Sequence, residues 1–183
     1  MVHSALRERR GGSFLQRVTL MPVVAFESLP DASRVWVFAS DPALPAAAAK
    51  TMLSGVDSHL KEWKAHGEPL TVSREWIEDR FLVVAVDQTH TGASGCSIDG
   101  LFRVLQQLEN SVHASLVGGG RVYYRDHHGV IQAVGRGDID RLVHEGEITK
   151  DTVVFDTTLS DLGDWRRKFE RPARESWVGE LIH

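Results

Sequence analysis

The feature that most constrains the fold is a run of six consecutive apolar residues, from Phe81 to Val86. Both alternating faces of such a strand are apolar and need cover, which is typical of a strand in the middle of a sheet. A second run, from Val35 to Ala39, is β-branched and aromatic on both faces and predicts another buried strand. We therefore expect a sheet with two central strands and with cover on both of its faces.

Two stretches have the periodicity of amphipathic helices, which could supply part of that cover. In residues 45–65 the apolar stripe consists of Met52, Val56, Leu60 and Trp63. In residues 98–115 it consists of Ile98, Leu101, Leu105, Leu108 and Val112. We expect Gly67 to end the first helix in a left-handed conformation.

The order of the predicted elements indicates an α+β fold. Residues 70–77 resemble an edge strand, and residues 121–125 form a fourth strand after the second helix. The order strand, helix, strand, strand, helix, strand is the split βαβ, or ferredoxin-like, pattern (βαββαβ), in which the first and third strands are central. Both helices cover one face, so a C-terminal β/α extension is expected to cover the other.

Composition favours one domain in a reducing compartment. The chain has 183 residues, a formal net charge of −4 and a single cysteine, which cannot form an internal disulfide. We expect a cytoplasmic protein without membrane association, organised as a loosely ordered basic leader over residues 1–20 and a single α+β domain over residues 21–183. Gly11-Gly12-Ser13 and Arg17 interrupt any apolar run in the leader, which argues against a secretory signal. A sharper interpretation of the leader is that Met21 is the natural start.

The loop between the third strand and the second helix is the first candidate site. It leads from Asp87 to the helix N-terminus, where free backbone N–H groups and the helix dipole favour an anion or a thiolate. Ser94 and Ser97 fit an N-cap better than a catalytic role. Cys96 fits a small buried residue better than a nucleophile, and Asp99 opposes any bound anion.

Familiar catalytic and cofactor motifs are absent from the sequence. It contains no P-loop, no Gly-x-Ser-x-Gly nucleophile elbow and no dinucleotide fingerprint. His59 and His66 would lie about 10 Å apart on a helix, too far to share one metal ion. We expect no metal and no cofactor, and nucleic acid binding is disfavoured by the net charge and by the lack of an aromatic platform.

From about Pro22 to Leu181 the chain resembles a family of small bacterial proteins, common in Bacteroidota, that often carry the label "ABC transporter ATPase". The resemblance rests on Leu29-Pro30-Asp31, Arg34-Val35-Trp36, Trp63-Lys64-Ala65-His66-Gly67, Ala85-Val86-Asp87, Ala93-Ser94-Gly95-Cys96-Ser97-Ile98-Asp99, Pro172-Ala173 and Ser176-Trp177. It implies no activity, and the absence of the ATPase motifs argues against the label.

Two hypotheses for the function remain. The preferred one is a non-catalytic interaction or ligand-binding module. Its partner would be a second copy or another protein, bound through an exposed edge strand or through the aromatic tail, which contains Trp165, Phe169 and Trp177. The alternative is a small enzyme or anion-binding protein with a site at the 87–99 loop. Its candidate residues are Asp87, Ser94, Cys96, Ser97, Asp99, His66 and Trp177.

Overall fold

The computed structural model describes residues 23–182, so the predicted leader lies outside the described residues. The strands are β1 (Arg34–Ala39), β2 (Lys64–Ala65), β3 (Glu68–Pro69), β4 (Thr71–Ile77), β5 (Phe81–Asp87), β6 (Arg121–Arg125), β7 (Ile131–Gly135), β8 (Val153–Phe155) and β9 (Glu170–Pro172). The α-helices are α1 (Ala46–Glu62), α2 (Gly95–Val112), α3 (Ile139–His144) and α4 (Leu162–Lys168). This mixture of helices and antiparallel strands confirms the α+β class.

The first sheet is antiparallel, with the order β1-β5-β4. Residues 81–86 of β5 are buried, which confirms the central strand predicted from the apolar run. β4 is the edge strand predicted for residues 70–77, and it pairs with β5 from Thr71↔Asp87 to Ile77↔Phe81. One face of the sheet packs against α1 and α2 in a single apolar cluster.

The opposite face of this sheet is covered largely by the C-terminal part of the chain, as predicted. Val83 and Ala85 pack against Leu162 at the start of α4. Phe81 packs in a separate cluster with Tyr123 and Phe155 of the second sheet. The N-terminal segment adds Phe26 and Leu29, so this cover comes from both ends of the described chain.

The ferredoxin-like sheet is not confirmed, because its fourth strand lies elsewhere. β6 pairs with β7 and β8 in a second antiparallel sheet of order β7-β6-β8-β9, and β1 is therefore an edge strand. Just beyond β1, Ser115 forms an isolated antiparallel bridge with Asp41. The pairing does not continue, and a carboxylate oxygen of Glu109 accepts the next two N–H groups, those of Leu116 (2.7 Å) and Val117 (2.9 Å).

The end of the first helix also differs from the prediction. α1 ends at Glu62, and Trp63 is already extended (φ −70°, ψ 123°). His66 (φ 53°) and Gly67 (φ 85°) instead form the left-handed turn between β2 and β3. Gly67 has the predicted left-handed conformation, but it lies in a hairpin turn and not at the end of a helix.

The second sheet has its own apolar cluster. Its buried members are Val122, Tyr124, Ile139, Leu142, Ile148, Val154, Ala173, Val178 and Ile182. The predicted C-terminal β/α extension contains β7, β8 and the short helix α3. Asp138 precedes α3 and makes no side-chain capping hydrogen bond.

Candidate functional site

The loop before α2 is organised by local hydrogen bonds of its own polar side chains. Asp87 accepts the N–H (2.8 Å) and the hydroxyl (2.5 Å) of Thr89. Ser94 caps α2 by accepting the N–H of Ser97 at 3.3 Å, as predicted, and the Ser97 hydroxyl donates to the Ser94 carbonyl at 2.8 Å. The Trp63 indole N–H donates to the Ser97 carbonyl at 2.8 Å, which joins the end of α1 to the start of α2.

The structure contradicts the buried interpretation of Cys96. The thiol is free and exposed, because α2 begins at Gly95 and turns Cys96 outward while the neighbouring Ser97 is buried. Asp99 is exposed and lies beyond the first turn of α2. Contrary to expectation, it therefore does not compete with an anion for the N–H groups at the start of the helix. His66 is exposed in its hairpin turn.

Trp177 lies in the apolar cluster of the second sheet, whereas Trp63 and Leu101 beside the 87–99 loop lie in the cluster of the first. The Arg136 guanidinium stands 4.5 Å from the centroid of the Trp177 ring. The structure therefore joins Ser94, Ser97 and the end of α1, but it assigns Trp177 to the packing of the second sheet. Whether the 87–99 loop is a site stays a prediction.

The outer edge of β1 shows a different feature, because some of its backbone groups have no hydrogen-bond partner in the described part of the chain. The Val35 N–H donates to the Ser160 carbonyl (3.0 Å), and Asp41 exchanges two hydrogen bonds with Ser115 (2.9 and 3.0 Å). Since alternate residues of a strand turn their N–H and C=O to the same side, those of Val37 and Ala39 also point away from β5. Within residues 23–182, no hydrogen bond to a loop or side chain satisfies them.

This edge opens into a pocket of about 450 Å³. All of β1 lines it, together with the loop over residues 116–121, the Tyr123 ring and the loop over residues 157–160. The pocket occupies the place at which the predicted ferredoxin-like sheet would hold its fourth strand. Backbone donors and acceptors at such an edge are a template for pairing with another extended chain.

Two arginines line the pocket, in a protein of net negative charge. Arg34 and Arg121 line it, and none of its lining residues is acidic. The Arg34 guanidinium lies 4.7 Å from the Trp36 ring centroid and forms no ion pair within residues 23–182. Arg121 contacts Asp41 through Nε at 2.9 Å, and its side chain is 46% exposed.

A further cation lies behind the Tyr123 ring. Arg80 is only 8% exposed, and its Nη1 is buried without a hydrogen-bond partner in the described chain. Its guanidinium carbon lies 5.9 Å from the Tyr123 ring centroid. Burial, with the nearby Asp41 carboxylate, raises the pKa of Tyr123 despite Arg80 and Arg121, so the hydroxyl stays protonated at neutral pH.

Sequence reasoning missed this pocket because it placed β6 beside β1. The relevant signals were present: three consecutive glycines before β6, and an acidic residue, Glu109, near the end of α2. Neither signal predicts the position of β6, because the open edge is associated with the Glu109 side chain, which reaches forward in the chain to bind the N–H groups of Leu116 and Val117.

No family model, curated protein or solved structure matches this chain. The resemblance to the bacterial family stays a prediction. Residues 23–182 contain no group of three or more His, Cys, Asp or Glu side chains arranged to hold a metal ion. In the same part of the chain, every helix is too short or too polar to cross a lipid bilayer.

Proposed function

We propose that this protein is an interaction module that binds an extended peptide segment of a partner protein along the free edge of β1. The observation that carries the proposal is that the backbone of Val37 and Ala39 has no partner within residues 23–182 on its outer side, between the bonded ends at Val35 and Asp41. Between these bonded ends the free edge runs from Trp36 to Ser40, a length of about 13 Å at about 3.3 Å per residue. That length suits a short strand added to the sheet, with side-chain selectivity supplied by the pocket walls.

This proposal sharpens the prediction of a non-catalytic module and changes the expected contact surface. The aromatic tail is less suited to binding, because Val178 and Ile182 are buried and Trp177 packs beside them. A second β1 is a poor occupant, since the loops over residues 116–121 and 157–160 flank the edge. A cytoplasmic location, inferred from the single cysteine, is part of the same proposal.

The alternative of a small enzyme at the 87–99 loop has one observation in its favour, the exposed thiol of Cys96. Residues 87–99 line none of the five best-formed pockets of the described chain. The interaction module is therefore the better supported function.

The decisive variant is Val37→Pro, with Val37→Ala as its matched control. Proline removes the outward N–H of residue 37 but leaves the bonds of Trp36 and Phe38 to β5 intact, and proline is tolerated on edge strands. Alanine removes the same side chain and keeps the N–H. Circular dichroism and a denaturation curve establish that both variants are folded.

The probe is a displayed library of random octapeptides, selected on the wild-type protein. We expect enriched peptides that bind the wild type and Val37→Ala alike, and bind Val37→Pro at least about tenfold more weakly, which is the loss of about 1.4 kcal/mol. Binding at β1 would be refuted if no peptide were enriched on the wild type relative to Val37→Pro. It would also be refuted if the enriched peptides bound all three proteins equally.

A further inference from the structure

We infer that the segment bound at β1 is acidic, with carboxylate side chains directed at an arginine near each end of the pocket. This inference rests on the proposed function and names the chemistry of its partner. Arg34 stands at the beginning of β1, next to the bonded Val35, and Arg121 stands at the other end, where it contacts Asp41.

The arginine at the beginning of β1 is available to a ligand. The Arg34 side chain lies over the face of Trp36, a position that holds the guanidinium beside the strand edge. With no carboxylate paired to it in residues 23–182, its N–H donors remain free for an incoming acid. Guanidinium groups prefer carboxylates because two parallel hydrogen bonds can form.

The arginine at the far end is already oriented. Nε of Arg121 binds Asp41, and this contact fixes the direction of a side chain that is still 46% exposed. Asp41 is the one carboxylate paired with this guanidinium in the described chain. The Asp41 carboxylate offsets part of this positive charge, so Arg34 is the stronger of the two attractions for an acidic ligand.

The surroundings favour a negative charge over a positive one. Arg80 adds a buried cation without an ion pair in residues 23–182, behind the Tyr123 ring that lines the pocket. Thr157 and Ser160 line the pocket from the opposite loop, whereas the Thr158 hydroxyl already donates to Asp156 at 2.6 Å. A basic segment would meet Arg34, which has no ion pair within residues 23–182, and this is an unfavourable like-charge contact.

The test uses the peptides selected on the wild-type protein as described above. We expect Asp and Glu to be enriched over their frequency in the unselected library, and Lys and Arg to be depleted. For the tightest peptide, replacing its acidic residues by Asn or Gln should weaken binding at least tenfold in a titration of a fluorescein-labelled copy. Raising the salt from about 50 to 300 mM should weaken the acidic peptide more than the amide version.

Two variants locate the effect in the protein. Arg34→Gln and Arg121→Gln should each weaken the acidic peptide about three- to tenfold and leave the amide version unchanged. Lys150→Gln is the control, because it makes the same change in net charge at an exposed residue that does not line the pocket.

The outcomes separate this inference from the proposed function. Selected peptides that need the N–H of Val37 but show no acidic enrichment would overturn the inference and leave binding at β1 standing. Acidic peptides that bind Val37→Pro as well as the wild type would overturn both. Full competition by phosphate or citrate alone at millimolar concentration would show a small-anion site and would also overturn the acidic peptide.

Discussion

At the scale of single residues, Cys96 shows how far the first position of a helix decides exposure. A lone cysteine beside a tight turn is most often buried. Here α2 starts at Gly95, the residue before Cys96, and the thiol is exposed to solvent. The buried neighbour is Ser97, whose hydroxyl and carbonyl are both bonded. The one-residue difference between these positions cannot be read from composition.

We predict that Cys96 reacts in the folded protein. A chromogenic aromatic disulfide should label it at a rate within about tenfold of that for the denatured chain, because access and not packing limits the reaction. Cys96→Ser should abolish labelling and change the free energy of unfolding by less than about 0.5 kcal/mol. Protection of the thiol until the protein unfolds would contradict the exposed position.

His59 gives a pH-dependent contribution to stability. Burial lowers its pKa below the ordinary value of 6.5, and its Nε2 is buried without a partner in the described chain. Below about pH 6.5 the unfolded chain therefore takes up this proton before the folded chain does. The free energy of unfolding should fall as the pH drops through this range, which is the sign expected for a buried neutral histidine.

The measurement compares denaturant midpoints of the wild type and His59→Gln at pH 7.5 and 5.5. We expect the wild type to lose more stability over this interval than the variant. Asp57 does not interfere, because the hydrogen bond from Arg74 lowers the pKa of its carboxyl from 3.8, so its contribution is lost only at more acidic pH. Equal losses in both proteins would show that His59 is not the group responsible.

At the scale of elements, the connection from α2 to β6 determines which strand pairs with β1. Ser115 already forms both bonds of an antiparallel bridge with Asp41, and the next outward pair would join Val117 to Ala39. Glu109 binds the N–H of Val117 instead. A single carboxylate thus keeps the edge of β1 open.

We predict that Glu109→Ala lowers the free energy of unfolding by about 1–3 kcal/mol, since two partly buried N–H groups lose a charged acceptor. Hydrogen exchange of the Leu116 and Val117 amides should accelerate in the same variant. Glu109→Gln keeps an acceptor oxygen and should lie between Glu109→Ala and the wild type. Unchanged amide exchange in Glu109→Ala would mean that the carboxylate does not hold this segment.

Gly179 is required by close approach of the chain in the C-terminal segment. A Cβ at this position would lie 2.6 Å from the carbonyl oxygen of Ala173, a backbone atom that cannot rotate away. We predict that Gly179→Ala destabilises the protein by about 1–3 kcal/mol in urea denaturation. Gly137→Ala is the control, because no atom lies within 4 Å of its added methyl group, and a similar loss there would remove the argument from packing.

Local pattern predicted most of the elements but not their assembly. Periodicity located α1, α2, β4 and β5, because their buried faces follow from the sequence within one element. The position of β6 depends on Glu109 reaching Leu116 and Val117, a contact between segments that periodicity does not contain. The candidate site could not be predicted for the same reason, because the edge of β1 is unpaired only when β6 lies in the other sheet.

At the scale of the whole molecule, the two sheets share an aromatic cluster that should make them unfold together. The Phe81 ring lies 5.3 Å from Tyr123, 5.0 Å from Phe155 and 5.2 Å from Phe169, measured between centroids. Phe81 belongs to the first sheet and the other three side chains to the second sheet or its flank. Unfolding one sheet alone would expose this buried cluster on the other.

We therefore predict one cooperative transition, tested with Leu105→Ala in the cluster of the first sheet. The change should cost about 2–5 kcal/mol, because it leaves a cavity in a fully buried site. Two reporter proteins each retain one tryptophan, Trp63 for the first sheet or Trp177 for the second. Leu105→Ala should lower the urea midpoint of both reporters equally if residues 21–183 form one domain, as the sequence predicts. A shift confined to Trp63 would instead show two sheets that unfold independently, and the pocket between β1 and the loops would then lie at a boundary between domains.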